Sequence, residues 1–511
     1  MKIDFAQEFR NDLKEFREMT KKYHNKEISM KEYKHFSGGY GSYGERGGQS
    51  NMLRLRLPGG CIPVDKLGFI VESIDKYDIS LVHLTTCQTI QLHQLSSDVV
   101  CSLIEEAWDH GIITRGGGGD YPRNVVASPL SGVSPDETFD VLPYVELASD
   151  YLLSFINKVQ LPRKLKVVFS NDPHNITHPA FRDLAFVAKE NHTFDVYSAG
   201  GIGNKSKMGV LTATDVDPSK VLYYINAMIK TFTTYGNYED RSKARTRFMQ
   251  DSLGVDGYKE AFHKKLEEAL ATEDLDIVVT SKEITKTGEG SIEDPRVVPQ
   301  TQQGLYSVFY HPIGGTIAPN KLKEIYEAIK SMKEVELRLT PLQEMYIINL
   351  TASEAKTILA ITEDGAKTSF ESSTACIGAQ VCQIGLRNSQ ETIKTLVDHL
   401  RPYNFKEGVL PHIHISGCPS SCSSHQIATI GFRGGVKKTE QGIQPAYVVT
   451  LFGSPLKGQE RLAEEVGTME ASKMPDFFIE LGKTIEKDNT TFDEWMKDNH
   501  ETFLNIVKQY L

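Results

Sequence analysis

The chain lacks any long apolar run. None of its 511 residues belongs to a stretch near the ~20 apolar residues that a membrane-spanning helix needs. The first 25 residues mix charges of both signs and contain no apolar core of the kind that a secretory signal peptide carries. We therefore expect a cytoplasmic protein with a helical start, no membrane contact and reduced thiols.

The chain also has no excess of basic residues over acidic ones. The chain has 57 Lys and Arg against 67 Asp and Glu, so its formal net charge is −10. A generic nucleic-acid-binding protein would be basic, and no nucleic-acid partner is expected. Because single hydrophobic cores stop growing near ~250–300 residues, a chain of this length predicts several domains.

Cysteine is scarce, and four of the seven copies fall into two close pairs: Cys376-x5-Cys382 and Cys418-x3-Cys422. No C-x-x-C motif is present, which excludes a thioredoxin-like site. Four thiolates are what a 4Fe-4S cluster requires, one for each iron. Zinc and unliganded thiols remain alternatives, although the five-residue gap is wider than a zinc knuckle usually has.

The chain repeats itself. A shift of 255 residues places Gly59 and Gly60 on Gly314 and Gly315, and the match continues without a gap. It covers Ile62 and Ile317, Lys66 and Lys321, Leu67 and Leu322, Thr85 and Thr340, and Gln88 and Gln343. So many matches in one register indicate an internal duplication, in which each copy reads as strand, helix and strand before another helix.

A weaker match sets Leu161-Pro162 and the alternating residues after it against Leu410-Pro411 and its own alternating segment. Both segments predict strands with polar residues on one face. Only the C-terminal half contains the paired cysteines, so the N-terminal half can supply the opposing wall of the same site.

Several polar residues of the N-terminal half are candidates for anion binding. Lys164 and Lys166 lie two apart on a predicted strand, so both ammonium groups leave one face, unless this is only a solvated strand edge. Arg123 follows the glycine run 116–119, where a loop salt bridge is the alternative. The glycine-rich loop 37–48 is expected to be a flexible surface loop, and His412 and His414 to be exposed on a strand.

These features together resemble the sirohaem-dependent sulfite and nitrite reductases. The resemblance runs from about residue 36 to past residue 455, and rests on four pieces: T-A-C-x-G-x3-C, G-C-P-x2-C, L-R-L-P-G-G and L-P-R-K-L-K. It implies an α+β fold in a duplicated, pseudo-two-fold chain, with paired ferredoxin-like half-domains and two α/β domains that bind sirohaem and the cluster. The implied ranges are 1–115 and 296–370 for the half-domains, and 116–295 and 371–511 for the other two.

The resemblance also implies residue roles. Cys376, Cys382, Cys418 and Cys422 would hold the 4Fe-4S cluster, and the thiolate of Cys422 would bridge to the sirohaem iron. Arg123, Lys164 and Lys166 would bind the substrate oxyanion and supply protons. The residues expected around the sirohaem are Arg54, Arg56, Gln88, Asn124, Arg245 and Arg247.

The implied enzyme carries out the six-electron reduction of sulfite to sulfide. Nitrite reduction to ammonia is the alternative, and the pairing of Lys164 with Lys166 is more typical of the sulfite-reducing relatives. No flavin or nicotinamide domain is visible, so electrons would come from a separate ferredoxin or flavoprotein. An electron-transfer or regulatory iron–sulfur protein without sirohaem stays open.

One position departs from the family pattern. The family usually has an arginine between the threonine and glutamine of the Thr85–Gln88 turn, where it contacts the substrate anion, and this chain has Cys87. Loss of one cation should weaken anion binding by roughly 1–3 kcal/mol, unless Arg46 or Arg115 takes its place or the substrate preference is altered.

We expect the substitution Cys87→Arg to lower the apparent Michaelis constant for the anion, because it adds a charge-assisted hydrogen-bond donor to the site. Steady-state kinetics on the purified protein measures this, with absorption spectra confirming that both cofactors are kept. An unchanged or raised constant with intact spectra would contradict the expectation.

Overall fold

The structure is a computed structural model that describes residues 5–511 and mixes helices with mostly antiparallel sheets. Its α-helices are α1 (Phe5–Phe9), α2 (Asp12–His24), α3 (Met30–Ser37), α4 (Val64–Tyr77), α5 (Ser97–Asp109), α6 (Leu142–Leu153), α7 (Val221–Tyr235), α8 (Met249–Thr272), α9 (Pro319–Ile329), α10 (Ala352–Ile361), α11 (Ser389–Leu400), α12 (Met474–Lys487), α13 (Phe492–Asp498) and α14 (His500–Tyr510).

The strands lie in four sheets and are numbered along the chain. They are β1 (Ser42–Gly44), β2 (Asn51–Leu55), β3 (Cys61–Pro63), β4 (Val82–Leu84), β5 (Ile90–Leu95), β6 (Val167–Ser170), β7 (Leu184–Ala188), β8 (Phe194–Ser198), β9 (Val210–Val216), β10 (Val297–Pro299), β11 (Tyr306–Tyr310), β12 (Thr316–Ile317), β13 (Glu336–Leu339), β14 (Met345–Leu350), β15 (Thr374–Ala375), β16 (Ile413–Ser416), β17 (Ile430–Thr439), β18 (Gly442–Leu451) and β19 (Glu464–Glu470).

The predicted duplication is confirmed in the backbone. Strands β1, β2 and β5 recur as β10, β11 and β14 with identical bounds after a shift of 255 residues. Unusual dihedral angles recur with them, since φ is +62° at Gly59 and +64° at Gly314, and positive again at both Gln88 and Gln343. The two copies therefore share a backbone path as well as a sequence pattern.

The two half-domains exchange a short strand. Strand β3 of the first copy forms the edge of the second copy's sheet, where Ile62 pairs with Leu337. Strand β12 of the second copy forms the edge of the first copy's sheet, where Ile317 pairs with Val82. Both isoleucines are buried in one common hydrophobic core, so the half-domains fold as a pair.

Gln88 fixes the first copy to both of its neighbours. Its side-chain Nε2 donates to the carbonyl of Ala127 at 2.8 Å and to that of Leu339 in the other copy at 2.7 Å. Its Oε1 accepts from the backbone N–H of Ala127 at 2.9 Å. The side chain is fully buried, so these bonds replace those that it would make with water.

Gln343 repeats this arrangement from the other side. Its Nε2 donates to the carbonyl of Leu84 at 3.0 Å, and its Oε1 accepts from the N–H of Ala375 at 2.9 Å. Each glutamine thus bonds the opposite half-domain and the chain segment that leads into one of the two larger sheets. The pair gives both larger domains a fixed position on the shared half-domains.

The two larger sheets carry the candidate site residues. One has the order β6-β7-β8-β9 and the other β15-β16-β17-β18-β19, and each packs its helices over a separate core. Strands β6 and β7 match β16 and β17 after a shift of 246 residues. This register sets Lys164 on Leu410, so the predicted alignment of Leu161-Pro162 with Leu410-Pro411 is wrong by three residues.

Three local predictions are also corrected. Lys164 and Lys166 precede strand β6 instead of lying in it, although an isolated bridge between Leu165 and Pro122 extends the sheet that far. Most of loop 37–48 is buried and includes strand β1, so it is not a flexible surface loop. His414 is buried and His412 half-buried, because their strand lies inside its sheet.

Within residues 5–511, no helix is both long enough and apolar enough to cross a membrane.

We predict that Gln88→Glu lowers the melting temperature by about 5 °C or more, because a carboxylate oxygen would then face the two carbonyls that Nε2 now bonds. Gln94→Glu is the matched control, since Gln94 also has a positive φ and lies in the same half-domain but is exposed. Differential scanning fluorimetry of both variants measures the effect, and equal shifts would contradict the role given to Gln88.

Candidate active site

Two of the four paired cysteines follow the parallel strands β15 and β16, and so lie at one edge of their sheet. Cys376 directly follows β15, and Cys418 follows β16 by two residues. The backbone N–H of Cys376 donates to the carbonyl of Ile415 at 3.1 Å. Its Sγ accepts from the N–H of Gly417 at 3.1 Å and lies 3.1 Å from the hydroxyl of Ser389.

The other two cysteines come from the loops that follow. The N–H of Cys382 donates to the carbonyl of Gly378, whose φ of +71° makes the turn. The carbonyl of Cys422 accepts from Thr86 Oγ1 of the other half at 2.8 Å. Although Cys422 is exposed, desolvation by the surrounding protein and the charges of the other three thiols raise the pKa of its thiol, so iron binding would have to displace its proton.

The four thiols are neighbours, since the charges of Cys376, Cys418 and Cys382 all act on Cys422. A mononuclear zinc site needs its ligands to converge on one ion, whereas a 4Fe-4S cluster takes one thiolate on each iron. Within residues 5–511, no three His, Cys, Asp or Glu side chains converge as the ligands of a single ion would.

The N-terminal half has the same loop without the ligands. The segment after β6 repeats the left-handed residues of the cysteine loop after β16, at positions shifted by 246. Where that loop has Cys418 and Cys422, the N-terminal half has Asp172 and Ile176. The duplication therefore leaves one set of paired cysteines, and the other half has different side chains at the matching positions.

Cys87 faces a group of cations on the N-terminal half. It packs against Val126, Val168 and Ala185 on the sheet that contains β6 and β7. Lys166 lies two residues before Val168 and so leaves the same face. Burial alone would raise the pKa of Cys87, but the charges of Lys166, Arg182 and Arg54 outweigh it and lower the pKa to about 6.

The two lysines lie where the halves meet. Burial, together with the neighbouring cations Arg245, Lys166 and Arg123, lowers the pKa of Lys164 well below its ordinary value. The charge of Lys164 also interacts with that of Cys422 in the other half. Burial lowers the pKa of Lys166 too, although Cys87 partly opposes it.

Arg123 and Arg54 are held by the glycine run. Both guanidinium groups donate to the carbonyl of Gly117, and Arg123 also donates to that of Gly119 at 2.8 Å. The N–H of Gly119 donates to the hydroxyl of Tyr43 at 2.6 Å. Tyr43 belongs to the glycine-rich loop that the sequence pattern assigned to the surface, so this contact was missed.

Asp183 organises a second group of cations. It accepts from Arg245 Nη2 at 2.9 and 3.0 Å, from the hydroxyl of Thr246 and from the N–H of Lys166 at 2.9 Å. Arg247 donates to the carbonyl of Lys205 at 2.9 Å and lies beside Gly201 and Gly203. The loop of Gly203 in turn bonds Gln426, just beyond the cysteine loop.

Three residues that are predicted to surround the sirohaem form hydrogen bonds with the protein backbone. Arg56 donates to the carbonyl of Arg115 at 2.7 Å. The Oδ1 of Asn124 accepts from the N–H of Leu57, and its Nδ2 donates to the carbonyls of Leu57 and Cys87. The side-chain amide of Gln88 holds the two halves together. The contact of Arg56, Asn124 and Gln88 with a cofactor stays a prediction.

Arg46 and Arg115, the two cations expected to replace the missing arginine, bond other residues instead of Cys87. Arg115 donates to Gly39 and stacks over Tyr40, with its guanidinium carbon 4.4 Å from the ring centre. Arg46 donates to the carbonyls of Cys382 and Gly385, over the cluster loop. Instead Arg182, which no sequence motif marks, interacts with Cys87.

Buried donor atoms remain unpaired among these cations. Within the described residues, the N–H donors without a hydrogen-bond partner include Arg123 Nε, Arg182 Nη2, Arg245 Nε and Arg247 Nη1. A buried donor atom without a partner is costly, so these atoms fit ligands that bring negative oxygens. Two of the four arginines, Arg123 and Arg245, are neighbours of Lys164, whose charge interacts with that of Cys422.

Comparison with known proteins agrees with this arrangement. Residues 118–270 match the family model described as the nitrite and sulphite reductase 4Fe-4S domain. Residues 43–107 match the nitrite/sulfite reductase ferredoxin-like half domain. Both matched segments are those of the nitrite and sulfite reductase family, the relatives named below are oxidoreductases, and the predicted α+β duplicated fold is confirmed.

Individual relatives carry both substrate names. The chain is 27% identical to the chloroplastic ferredoxin–nitrite reductase of Spinacia oleracea, covering 76% of this chain and 67% of that protein. It is 26% identical to a sulfite reductase (ferredoxin) of Mycobacterium tuberculosis, covering 75% and 69%. The solved NirA structure from Mycobacterium tuberculosis has the same fold, with a TM-score of 0.72, 21% identity and coverage of 86% and 85%.

These matches indicate sirohaem and a 4Fe-4S cluster as the cofactors. The residues present fit both. The four thiols meet at one edge of a sheet, and the unpaired donors of Arg245 and Arg247 suit the carboxylates that sirohaem carries.

We predict that Cys87 is alkylated by iodoacetamide at a rate that rises through about pH 6 and levels off above pH 7, because only the thiolate reacts. Lys166→Gln should move the midpoint up towards the ordinary thiol value of ~8.5. Peptide-resolved mass spectrometry of the purified protein measures both.

Cys61 provides an internal control in the same digest, because burial raises the pKa of its thiol to about 11. Its reaction should stay slow up to pH 9. A Cys87 midpoint near 8.5 in the unsubstituted protein would contradict the proximity of these cations.

Proposed function

We propose that this protein reduces sulfite to sulfide with six electrons, at a centre formed by the cysteine loops of one half and the cations of the other. The observation that carries the proposal is the position of Lys164, which interacts with Cys422 across the interface while it lies beside Lys166 and Arg123. Nitrite reduction to ammonia is the second candidate, because the relatives include ferredoxin–nitrite reductases.

Cys376, Cys382, Cys418 and Cys422 would hold the cluster, and Arg245 and Arg247 would bind carboxylates of sirohaem. When bound, these cofactors supply electrons one at a time to the substrate atom. The remaining steps belong to the protein. Arg123 and the lysines attract the anion and orient its oxygens by charge-assisted hydrogen bonds.

The same cations suit proton delivery. Bond cleavage between sulfur and oxygen consumes protons, and a buried lysine with a lowered pKa gives its proton up more readily than an exposed one. Lys164 and Lys166 both have that property. Arg123 keeps its charge and serves better as a fixed anchor.

The electron donor would be a separate protein. We propose a ferredoxin or a flavoprotein, since the relatives are named as ferredoxin-dependent reductases.

The holoprotein with reduced methyl viologen should turn over sulfite with a higher kcat/KM than nitrite when the two are compared side by side. Lys166→Met should lower kcat for sulfite by about 10²-fold or more, the scale of a lost general acid, while the absorption spectrum stays unchanged. Lys220→Met is the control, because Lys220 forms an exposed ion pair with Asp276 away from these cations.

A higher kcat/KM for nitrite than for sulfite would contradict sulfite as the substrate and support nitrite reduction, the second candidate. A protein that has the cluster but no sirohaem Soret band, and reduces neither anion, would instead be an electron-transfer or regulatory protein.

A further inference from the structure

Arg182 lies next to Lys166 at the start of the sheet on the N-terminal half. Arg182 directly precedes Asp183, and Asp183 directly precedes strand β7, which runs parallel to β6. The N–H of Leu184 donates to the carbonyl of Lys166 at 3.1 Å, and Asp183 accepts from the N–H of Lys166 at 2.9 Å. Arg182 and Lys166 therefore enter adjacent strands from the same end.

The guanidinium of Arg182 is anchored but only partly used. Its Nε donates to the carbonyl of Thr177 at 2.9 Å, which fixes the plane of the group. Its Nη2 is buried and has no hydrogen-bond partner among the described residues. Arg182 is only 3% exposed, so water does not readily satisfy this donor, and a buried cation of this kind calls for an anion.

The position left by the missing arginine is adjacent. Cys87 packs on Val168 and Ala185, which belong to the two strands that follow Lys166 and Arg182. Cys87 and Arg182 each affect the ionisation of the other, but the sulfur of Cys87 is not a hydrogen-bond partner of Arg182 Nη2, which stays unsatisfied even when the thiol is ionised. The short side chain at position 87 is thus a neighbour of a guanidinium group that has an unpaired nitrogen.

We propose that Arg182 binds the substrate anion and supplies the cation that Cys87 does not. Its fixed Nε leaves Nη2 as the donor for an anion oxygen, beside the ammonium of Lys166. The anion site then has three kinds of donor from the N-terminal half: Arg123 from the glycine loop, Lys164 and Lys166 before β6, and Arg182 before β7. This inference rests on the proposed function for the identity of the anion.

The test is anion binding by the oxidised holoprotein, followed as a shift of the sirohaem absorption during titration with sulfite and, separately, with nitrite. Arg182→Gln should keep both cofactor bands and raise the dissociation constant by about 10- to 100-fold, the scale of one charge-assisted hydrogen bond. Arg296→Gln is the matched control: Arg296 is a half-buried arginine that also donates to backbone carbonyls, those of Leu359 and Thr362, remote from Cys87.

Two further measurements separate binding from a structural role. In the Arg182→Gln background, Cys87→Arg should restore at least half of the lost affinity on a logarithmic scale, because it returns a guanidinium to the same place. The alkylation midpoint of Cys87 should also rise in Arg182→Gln, since a neighbouring positive charge is gone, and it should not change in Arg296→Gln.

An affinity within about twofold of the unsubstituted protein, with normal spectra, would overturn the proposal, as would equal losses in Arg182→Gln and Arg296→Gln. If Arg182→Gln loses sirohaem, the Arg182→Lys variant provides the test instead. Lysine keeps the positive charge but lacks the planar guanidinium donors, so an unchanged affinity for the anion overturns the proposal and a weakened affinity supports it. If the unsubstituted holoprotein binds neither anion, the proposed function fails first, whatever the variants do.

Discussion

The site depends on how two buried glutamines hold the two halves of the chain together. Gln88 and Gln343 each bond a carbonyl of the opposite half-domain, Leu339 and Leu84. Each also bonds a residue at the edge of a larger sheet, Ala127 beside the isolated Val126–Val168 bridge and Ala375 in β15. The exchanged strands β3 and β12 add two further connections across the same interface. Because these bonds are buried, a change in the relative position of the halves would leave polar groups unsatisfied. The cysteine loops and the cations are thereby held in a fixed mutual position.

Duplication followed by divergence explains the asymmetry of the site. Both halves have a loop with the same left-handed residues after an equivalent strand, but only the C-terminal loop has Cys418 and Cys422. At the corresponding strand the N-terminal half has lysines, and His412 takes the position of Lys166 in the C-terminal half. In the function we propose, one copy would offer soft anionic ligands for iron and the other would offer cations for an oxyanion. A centre that feeds electrons to a small anion needs both kinds of side chain close together.

Much of this could be predicted from sequence, for physical reasons that are visible in particular residues. Gly59, Gly60 and Gln88 have counterparts at a fixed spacing because their backbone angles are restricted, and few residues tolerate them. The paired cysteines predict a cluster because few other chemistries use that spacing, and their role as its ligands stays a prediction. The weaker alignment failed by three residues because a Leu-Pro dipeptide is common, whereas the parallel pairing of the two strands in each sheet sets Ile413 on Val167. Arg182 and Tyr43 were missed because their roles come from contacts between segments distant in the chain, which no local pattern records.

We propose that the cysteines of one half and the cations of the other form a single centre. A crystal structure of the holoprotein grown with sulfite, with anomalous diffraction collected at the iron edge, tests it most directly. We predict the irons of a cluster on the four cysteines, one further iron beyond Cys422, and sulfite oxygens within hydrogen-bond distance of Lys164, Lys166, Arg123 and Arg182. A cluster without the further iron, or an anion bound away from these four side chains, would contradict the account.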